Sequence, residues 1–257
     1  MCELLGMECN VPTDITFSFH GLAARGGKCG PHADGWGLAL YEGRLARVFL
    51  EPSAAASSAL ATFVREHPIK TLLAIAHVRR KTRGGVGLVN THPFTRELWG
   101  RHFVFAHNGT VKRAGKLGRF KPIGDTDSET AFCALLAALE HEFRDYPRAP
   151  AQLAEAVAHH AARIGKGGTF NMLLGDGSQL FARCSTKLHY ILRHSPFKQA
   201  TLADEDVTVD FAAVTTPKDR VAVVATMPLT RDEVWTTGVP NTMWVFKGGK
   251  LARTLPS

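Results

Sequence analysis

Short apolar runs that stop at glycine-rich turns constrain the fold of this 257-residue chain most strongly. The segment 35–50 holds two such runs around Glu42 and Gly43, a pattern typical of a two-residue β-hairpin. The turns Gly-Asp-Gly-Ser and Lys-Gly-Gly-Lys repeat it within 169–185 and 241–253. Such turns join antiparallel strands, so we expect mostly antiparallel sheet. Further strands are predicted at 71–78, 102–109, 187–194, 209–216 and 220–229.

Three segments are predicted to be helical, and the firmest is 126–146. Its apolar residues recur at helical spacing, and Thr126 followed three residues later by Glu129 matches a capping box. Segments 53–67 and 151–164 are the other candidates. Strands and helices do not alternate along the chain, so a doubly wound parallel sheet fits poorly. We therefore predict an α+β fold with helices packed on antiparallel sheets.

Composition limits the class of protein. Hydrophobic residues make up 45% and charged residues 21% of the chain, which is ordinary for a globular protein. No repeat or long linker divides the sequence, so we expect one domain over residues 2–257. Five irregularly spaced cysteines without a secretory signal predict a reducing, cytoplasmic compartment and no disulfide framework. No stretch is long and apolar enough to predict a membrane span.

The net charge of +8 is concentrated in three basic runs, at 79–83, 111–121 and 191–198. A nucleic-acid-binding protein needs a basic face together with a recognisable binding module, and the sequence contains no such module. We therefore favour a solvated basic surface or attraction to anionic substrates over nucleic-acid binding.

Cys2 directly follows the initiator methionine. Removal of Met1 would leave a thiol with an ordinary pKa of about 8.5 beside an α-amine of roughly 7.7–8.0, so the amine can accept the thiol proton near neutral pH. A nucleophile with an adjacent base is what covalent catalysis requires. The alternative is a frayed terminus whose second residue is a cysteine.

Polar residues elsewhere in the first half match the needs of a free amino acid with a side-chain amide. Its α-carboxylate suits the fork of Arg79, and its α-ammonium suits the carboxylate of Asp127. Its amide carbon requires a nucleophile such as Cys2. The oxyanion that forms on attack requires fixed N–H donors, which Asn108 and Gly109 can supply.

Each of these residues also has a structural interpretation. Arg79 belongs to a basic run, and Asp127 lies in a first helical turn, where a carboxylate is stabilising anyway. Asn108-Gly109 is a common hairpin corner. His77 and His107 are either bases for a Cys–His dyad or hydrogen-bonded core residues.

We expect no metal and no cofactor. His32, Cys29 and His92 lack the spacing of a zinc site. The glycine clusters 25–30 and 165–168 do not match a phosphate-binding loop.

Cys2 followed in order by HVRRKT, AHNG and TDSE resembles the glutaminase domain of class II glutamine amidotransferases, which are N-terminal-nucleophile hydrolases. The segments MCELLGM, NVPTDITFSF, GPHADGWGLALYEG, NTHPFTRELWGR and FAHNGTV resemble its stand-alone YafJ-type branch. The similarity runs from Cys2 through at least Cys133. It implies a four-layer αββα sandwich with two antiparallel sheets between helical layers.

The resemblance also implies catalytic roles. Cys2 is similar to the family nucleophile, which forms a γ-glutamyl thioester and uses its own α-amine as the general base. The side-chain amide of Asn108 and the backbone N–H of Gly109 match the oxyanion hole.

Substrate-binding roles follow in the same way. Arg79 matches the carboxylate clamp, Thr82 a neighbouring substrate contact, and Asp127 the partner of the substrate ammonium. The segment 32–37 is similar to the one that lines the nucleophile, with Asp34 in an architectural role.

The resemblance therefore predicts a cysteine-dependent amidohydrolase acting on glutamine or a related γ-glutamyl amide. The glutaminase-like region fills the chain, so we expect no fused synthase domain. Ammonia is then either released or passed to a separate acceptor subunit. The alternative is a catalytically silent module that senses glutamine through the same pocket.

Overall fold

The computed structural model describes residues 2–257, and Met1, whose removal is predicted, lies outside the described residues. Two antiparallel sheets of seven and six strands form its centre, accompanied by one short pair. The strands are β1 (Glu3–Thr13), β2 (Trp36–Glu42), β3 (Leu45–Glu51), β4 (Thr71–Val78), β5 (Phe94–Leu98), β6 (Arg101–Val111), β7 (Gly168–Gly175), β8 (Leu180–Cys184), β9 (His189–His194), β10 (Gln199–Thr201), β11 (Thr208–Asp210), β12 (Arg220–Ala225), β13 (Thr236–Thr237), β14 (Thr242–Lys247) and β15 (Lys250–Pro256).

The two large sheets are named sheet I and sheet II. Sheet I has the strand order β13-β9-β12-β1-β4-β2-β3, and sheet II has the order β15-β14-β8-β7-β6-β5. The first strand of the chain is therefore the central strand of sheet I, paired with β12 on one side and β4 on the other.

Helices cover the outer face of each sheet. The helices are α1 (Thr16–Arg25), α2 (Ala59–Glu66), α3 (Asp127–Glu142), α4 (Pro150–Gly165) and the short α5 (Phe211–Val214). One apolar cluster joins α1 and α2 to sheet I, a second joins α3 and α4 to sheet II, and a third fills the layer between the sheets. The predicted αββα sandwich is confirmed.

Alternation along β1 shows how the layers are built. Leu4 belongs to the cluster between the sheets, whereas Leu5 and Met7 pack toward the helices on sheet I. A Cβ added to Gly6 would lie 2.9 Å from Leu180 of sheet II, so the two sheets approach closely at this point. Residues two apart share a face of a strand, which directs side chains of even number in β1 into the inter-sheet layer.

Most of the predicted elements are present. The hairpin at 35–50 turns at Gly43, and the Lys-Gly-Gly-Lys turn places Gly248 and Gly249 at positive φ. Helices α3 and α4 match the predictions, and the Thr126 hydroxyl accepts the Glu129 N–H as an N-cap.

Two predictions of elements need correction, and one helix was missed. The helix expected at 53–67 contains a 3₁₀ turn and then α2, which starts after Ser58 because the Ser58 hydroxyl accepts the Ala61 N–H. The strand expected at 209–216 ends early, since Asp210 caps the short helix α5. Helix α1 was not predicted, although its buried Phe19, Leu22 and Ala23 have helical spacing.

The inter-sheet layer changes from apolar to polar at one end. There His77 of β4 is 0% exposed, and its ring packs against that of His92 with centroids 4.3 Å apart and planes tilted by 35°. No ring nitrogen of either histidine makes a hydrogen bond of ordinary geometry within the described residues. Burial, aided by the charge of Arg79, lowers the pKa of His77 to about 3. Burial also holds the pKa of His92 well below its usual value.

We predict that these histidines make the fold acid-sensitive. The unfolded chain binds a proton at His77 near pH 6.5, but the folded chain does not until about pH 3. The free energy of unfolding should therefore fall as pH decreases from 6.5 toward 3, by about 1.4 kcal/mol per pH unit for this residue. Urea unfolding at several pH values measures the slope. His77→Gln should reduce it and exposed His141→Gln should not; an unchanged slope in His77→Gln would contradict the assignment.

Candidate active site

Cys2 immediately precedes β1, at the polar end of the inter-sheet layer. Its Sγ lies 3.4 Å from the backbone nitrogen of Arg80 and 3.4 Å from the carbonyl oxygen of the same residue. The surrounding protein desolvates the thiol and raises its pKa, while the Arg80 backbone N–H and then the charge of Arg79 act in the opposite direction. A thiol with a raised pKa needs a base to become a nucleophile at neutral pH.

The segment that carries Cys2 is held on both sides, so the interpretation of a frayed terminus is wrong for the described residues. The Leu4 N–H donates to the Thr226 hydroxyl at 3.0 Å, and the Thr226 N–H donates to the Leu4 carbonyl at 3.1 Å. The Glu3 carboxylate pairs with buried Arg25 at 3.0 Å, and Arg25 also binds Asp204 at 2.6 Å.

Asn108 and Gly109 lie inside β6, paired with Asn171 and Phe170 of β7. The hairpin-corner interpretation is therefore wrong. Gly109 has φ of +155°, and a Cβ there would overlap the Thr169 carbonyl oxygen of the neighbouring strand. Only glycine fits this position without displacing β7.

The side chain of Asn108 is buried at 1% exposure, and neither its oxygen nor its nitrogen has a hydrogen-bond partner among the described residues. A buried amide without partners costs roughly 1–3 kcal/mol, so such groups are rare outside functional sites. Ala106, two residues earlier in β6, belongs to the inter-sheet cluster, and alternation places Asn108 on the same face. Sheet I thus supplies Cys2 and sheet II supplies Asn108 to one layer.

A cavity of about 100 Å³ opens beside the thiol. Of the predicted site residues, Cys2, Thr82 and Gly109 line it. The remaining lining residues, which the sequence did not single out, are Arg80, Thr110 and Thr169.

Arg79 lies directly after β4 and is 2% exposed. Its guanidinium donates to the carbonyl oxygens of Gly85 at 2.9 Å and Arg83 at 3.1 Å, and it has no carboxylate partner among the described residues. These bonds use two of the five guanidinium N–H donors. A buried cation without a counterion therefore keeps donors for an anion, and it holds the exposed loop that carries Thr82.

Asp127 is the first residue of α3, and its Oδ2 accepts the Val111 N–H at the end of β6 at 2.7 Å. Its other oxygen makes no hydrogen bond to the described residues. The carboxylate thus stabilises the helix start and joins α3 to the strand of Asn108 and Gly109. Neither Asp127 nor Arg79 reaches the cavity beside the thiol.

The structure excludes a Cys–His dyad in this arrangement. His107 points toward α3, where Nδ1 contacts the Ser128 hydroxyl at 2.8 Å and Nε2 contacts the Thr169 carbonyl at 3.1 Å. The His77 ring makes no hydrogen bond of ordinary geometry within residues 2–257, and the contacts of the Cys2 sulfur there are with the Arg80 backbone. Of the two interpretations of these histidines, the contacts of His107 favour the hydrogen-bonded core residue over a base for Cys2.

Asp34 and Arg25 position this end of sheet I. The Asp34 carboxylate accepts the Lys81 N–H at 2.8 Å, and its backbone N–H donates to the Arg79 carbonyl at 3.0 Å. Asp34 stood in the sequence segment that resembles the lining of the nucleophile, whereas Arg25 ends a helix that was not predicted. The sign available in the sequence was an arginine at the end of a segment with apolar residues at helical spacing.

Within residues 2–257, no group of three or more His, Cys, Asp or Glu side chains is arranged to hold a metal ion. Over the same residues, no helix is long and apolar enough to span a membrane.

Comparison with known proteins gives one family. A model of the class II glutamine amidotransferases matches residues 1–257. YafJ of Escherichia coli strain K12 is 50% identical over 251 residues, which cover 96% of this chain and 97% of YafJ. A relative from Haemophilus influenzae is 42% identical over 258 residues, covering 99% of this chain and 87% of its own length.

Comparison with solved structures gives the same family as the sequence comparisons. The crystal structure of a predicted glutamine amidotransferase from Pseudomonas aeruginosa PA01 matches with a TM-score of 0.79 and 45% identity, over 98% of this chain and 100% of that chain. The glutamine phosphoribosylpyrophosphate amidotransferase of B. subtilis shares the fold, with a TM-score of 0.63 and 14% identity over 99% of this chain and 49% of that chain. The chain therefore belongs to the class II glutamine amidotransferase family.

Proposed function

We propose that this chain is a cysteine-dependent amidohydrolase that cleaves the side-chain amide of glutamine or a related γ-glutamyl compound. Residues 2–257 form one glutaminase unit in this proposal. The observation that supports it is that Cys2 and Gly109 line one cavity, and that Asn108, next to Gly109 in β6, has a buried side chain without a hydrogen-bond partner among the described residues. A thiol from sheet I faces a layer into which sheet II directs a buried amide without partners.

Cleavage proceeds in two steps. The α-amine exposed by removal of Met1 takes the thiol proton, and the Cys2 sulfur bonds to the amide carbon. The C–N bond then breaks as that proton passes to the nitrogen, so ammonia or an amine leaves and a γ-glutamyl thioester remains. Water attacks the thioester, which releases glutamate and restores the thiol. Burial raises the pKa of the thiol, so the reaction needs a base, and the α-amine of Cys2 is the one we propose.

Negative charge develops on the amide oxygen during both attacks. The Asn108 side chain and the Gly109 backbone N–H are the proposed donors to that oxygen. A donor that is already fixed and dry need not reorganise when the charge appears, so it stabilises the transition state more than the ground state.

The two charged groups at the other end of the substrate bind separate residues. Arg79 receives the α-carboxylate, because it is a buried guanidinium with unused donors. Asp127 receives the α-ammonium through its free oxygen, and Thr82 contacts the substrate from the loop that Arg79 holds. The ammonia is released or accepted by a separate subunit.

A catalytically silent glutamine-sensing module is the second candidate. The raised pKa of the Cys2 thiol favours it, because a protonated thiol is a poor nucleophile. Tight glutamine binding without glutamate release would identify such a module.

Cys2→Ala should reduce glutamate release from glutamine by at least about 10³-fold, since the group that forms the thioester is lost. Its thermal unfolding should match the native protein, because alanine is smaller than cysteine and fits the partly exposed position. Cys29→Ala is the matched control, since Cys29 is an exposed free thiol away from the cavity. Full activity in Cys2→Ala would disprove the mechanism.

Asn108→Ala should lower kcat by roughly 10²–10³-fold with little change in KM, because the lost donor acts mainly in the transition state. Steady-state glutamate release measures both constants. Asn10→Ala, which removes an amide bonded to Lys218 and Arg220 outside the site, should retain kcat. A large rise in KM at unchanged kcat in Asn108→Ala would assign the amide to substrate binding instead.

A further inference from the structure

We infer that Arg80 selects γ-glutamyl compounds whose amine portion carries a negative charge, such as a γ-glutamyl peptide with a free carboxylate. The inference rests on the proposed amide cleavage at Cys2 and names the substrate class of that site. Ammonia from glutamine carries no such group, so glutamine is not the preferred substrate under this inference.

Two adjacent arginines follow β4 and take different environments. Arg79 is buried and bonded to loop carbonyls, whereas Arg80 is an exposed residue that lines the cavity beside Cys2. Both backbone polar atoms of Arg80 contact the Cys2 sulfur at 3.4 Å, which fixes its Cα next to the nucleophile. Its guanidinium has no hydrogen bond or ion pair with the described residues.

The cavity surrounds the position of the scissile amide, because Cys2 and the oxyanion donor Gly109 both line it, together with Thr82. A substrate attacked at its amide carbon extends in two directions from the Cys2 sulfur. Arg79 and Asp127, which are proposed to hold the α-carboxylate and α-ammonium, are absent from the cavity wall. The group beyond the scissile bond is attached to the carbon that the Cys2 sulfur attacks, so it lies within reach of Arg80, whose backbone contacts that sulfur, and of Thr110 and Thr169 in the same cavity.

The chain segments that contribute Arg80 and Thr110 to this cavity are rich in cations. Four further cations follow Arg80 and Thr110 in the chain, and all are exposed and without ion pairs among the described residues: Lys81, Arg83, Lys112 and Arg113. The carboxylate that acts on the Cys2 thiol is Asp34, and the Lys81 N–H already occupies one of its oxygens. An amine portion with a carboxylate thus gains charge-assisted hydrogen bonds that a neutral one does not.

A matched pair of substrates tests this inference. γ-Glutamylglycine and γ-glutamylglycinamide differ only in the terminal carboxylate, and glutamine serves as a third substrate without an amine substituent. For the native protein, kcat/KM for glutamate release should be about tenfold higher with γ-glutamylglycine than with γ-glutamylglycinamide. Arg80→Gln should bring this ratio close to one.

Arg148→Gln is the control, since Arg148 is also exposed and unpaired but follows Tyr146, which binds Asp176 at the opposite end of β7 from Thr169. It should keep the native ratio. Equal kcat/KM for the matched pair in the native protein would overturn the inference and leave the proposed amide cleavage standing. An equal loss on all three substrates in Arg80→Gln would also overturn it, because Arg80 would then bind the shared glutamyl end. Glutamate release from none of the three would reject the amide cleavage itself and this inference with it.

Discussion

The central position of β1 in sheet I is the constraint on which the rest of the structure depends. Backbone pairing with β12 and β4 on its two sides fixes the register, and side-chain alternation then directs Cys2 into the layer between the sheets. A one-residue slip would turn the thiol toward α1 and α2 instead. In sheet II, β6 lies between β5 and β7, and alternation from Ala106 directs Asn108 into that layer from the other side. The site is thus a consequence of two strand registers.

The polar end of the inter-sheet layer lowers the free energy of unfolding, and this loss of stability points to a functional role for the region. Asn108, His77 and His92 each leave both polar side-chain atoms without hydrogen bonds in the described residues, and Arg79 is a buried cation without a counterion. Each such group opposes stability by about 1–3 kcal/mol. Groups of this kind, gathered at one end of an otherwise apolar layer, indicate a region shaped for a ligand rather than for stability. The apolar cluster that includes Leu4, Ile75 and Leu173 offsets the cost.

The sequence predicts the strands and the two long helices because periodicity and turn residues are local properties. It also identifies Asn108 and Gly109 as candidate site residues, since they end an apolar run. Helix α1 was missed although its spacing was readable, and the strand at 209–216 failed because the Asp210 cap outweighs β-propensity over a short segment. No local feature of the sequence predicts that Arg79 and Arg80 take different environments. Burial of Arg79 and exposure of Arg80 depend on the conformation of the loop that follows them. That conformation includes hydrogen bonds from the Arg79 guanidinium to the carbonyl oxygens of Gly85 and Arg83.

The central claim is that the processed terminal cysteine is an activated nucleophile in a site shaped for the glutamyl group. Mass spectra of the intact protein and its peptides, before and after exposure to a diazo-ketone analogue of glutamine, test it most directly. The account predicts that Met1 is missing and that one analogue is attached to Cys2. Retention of Met1, or a label that is absent or spread over Cys9, Cys29 and Cys133, would contradict it.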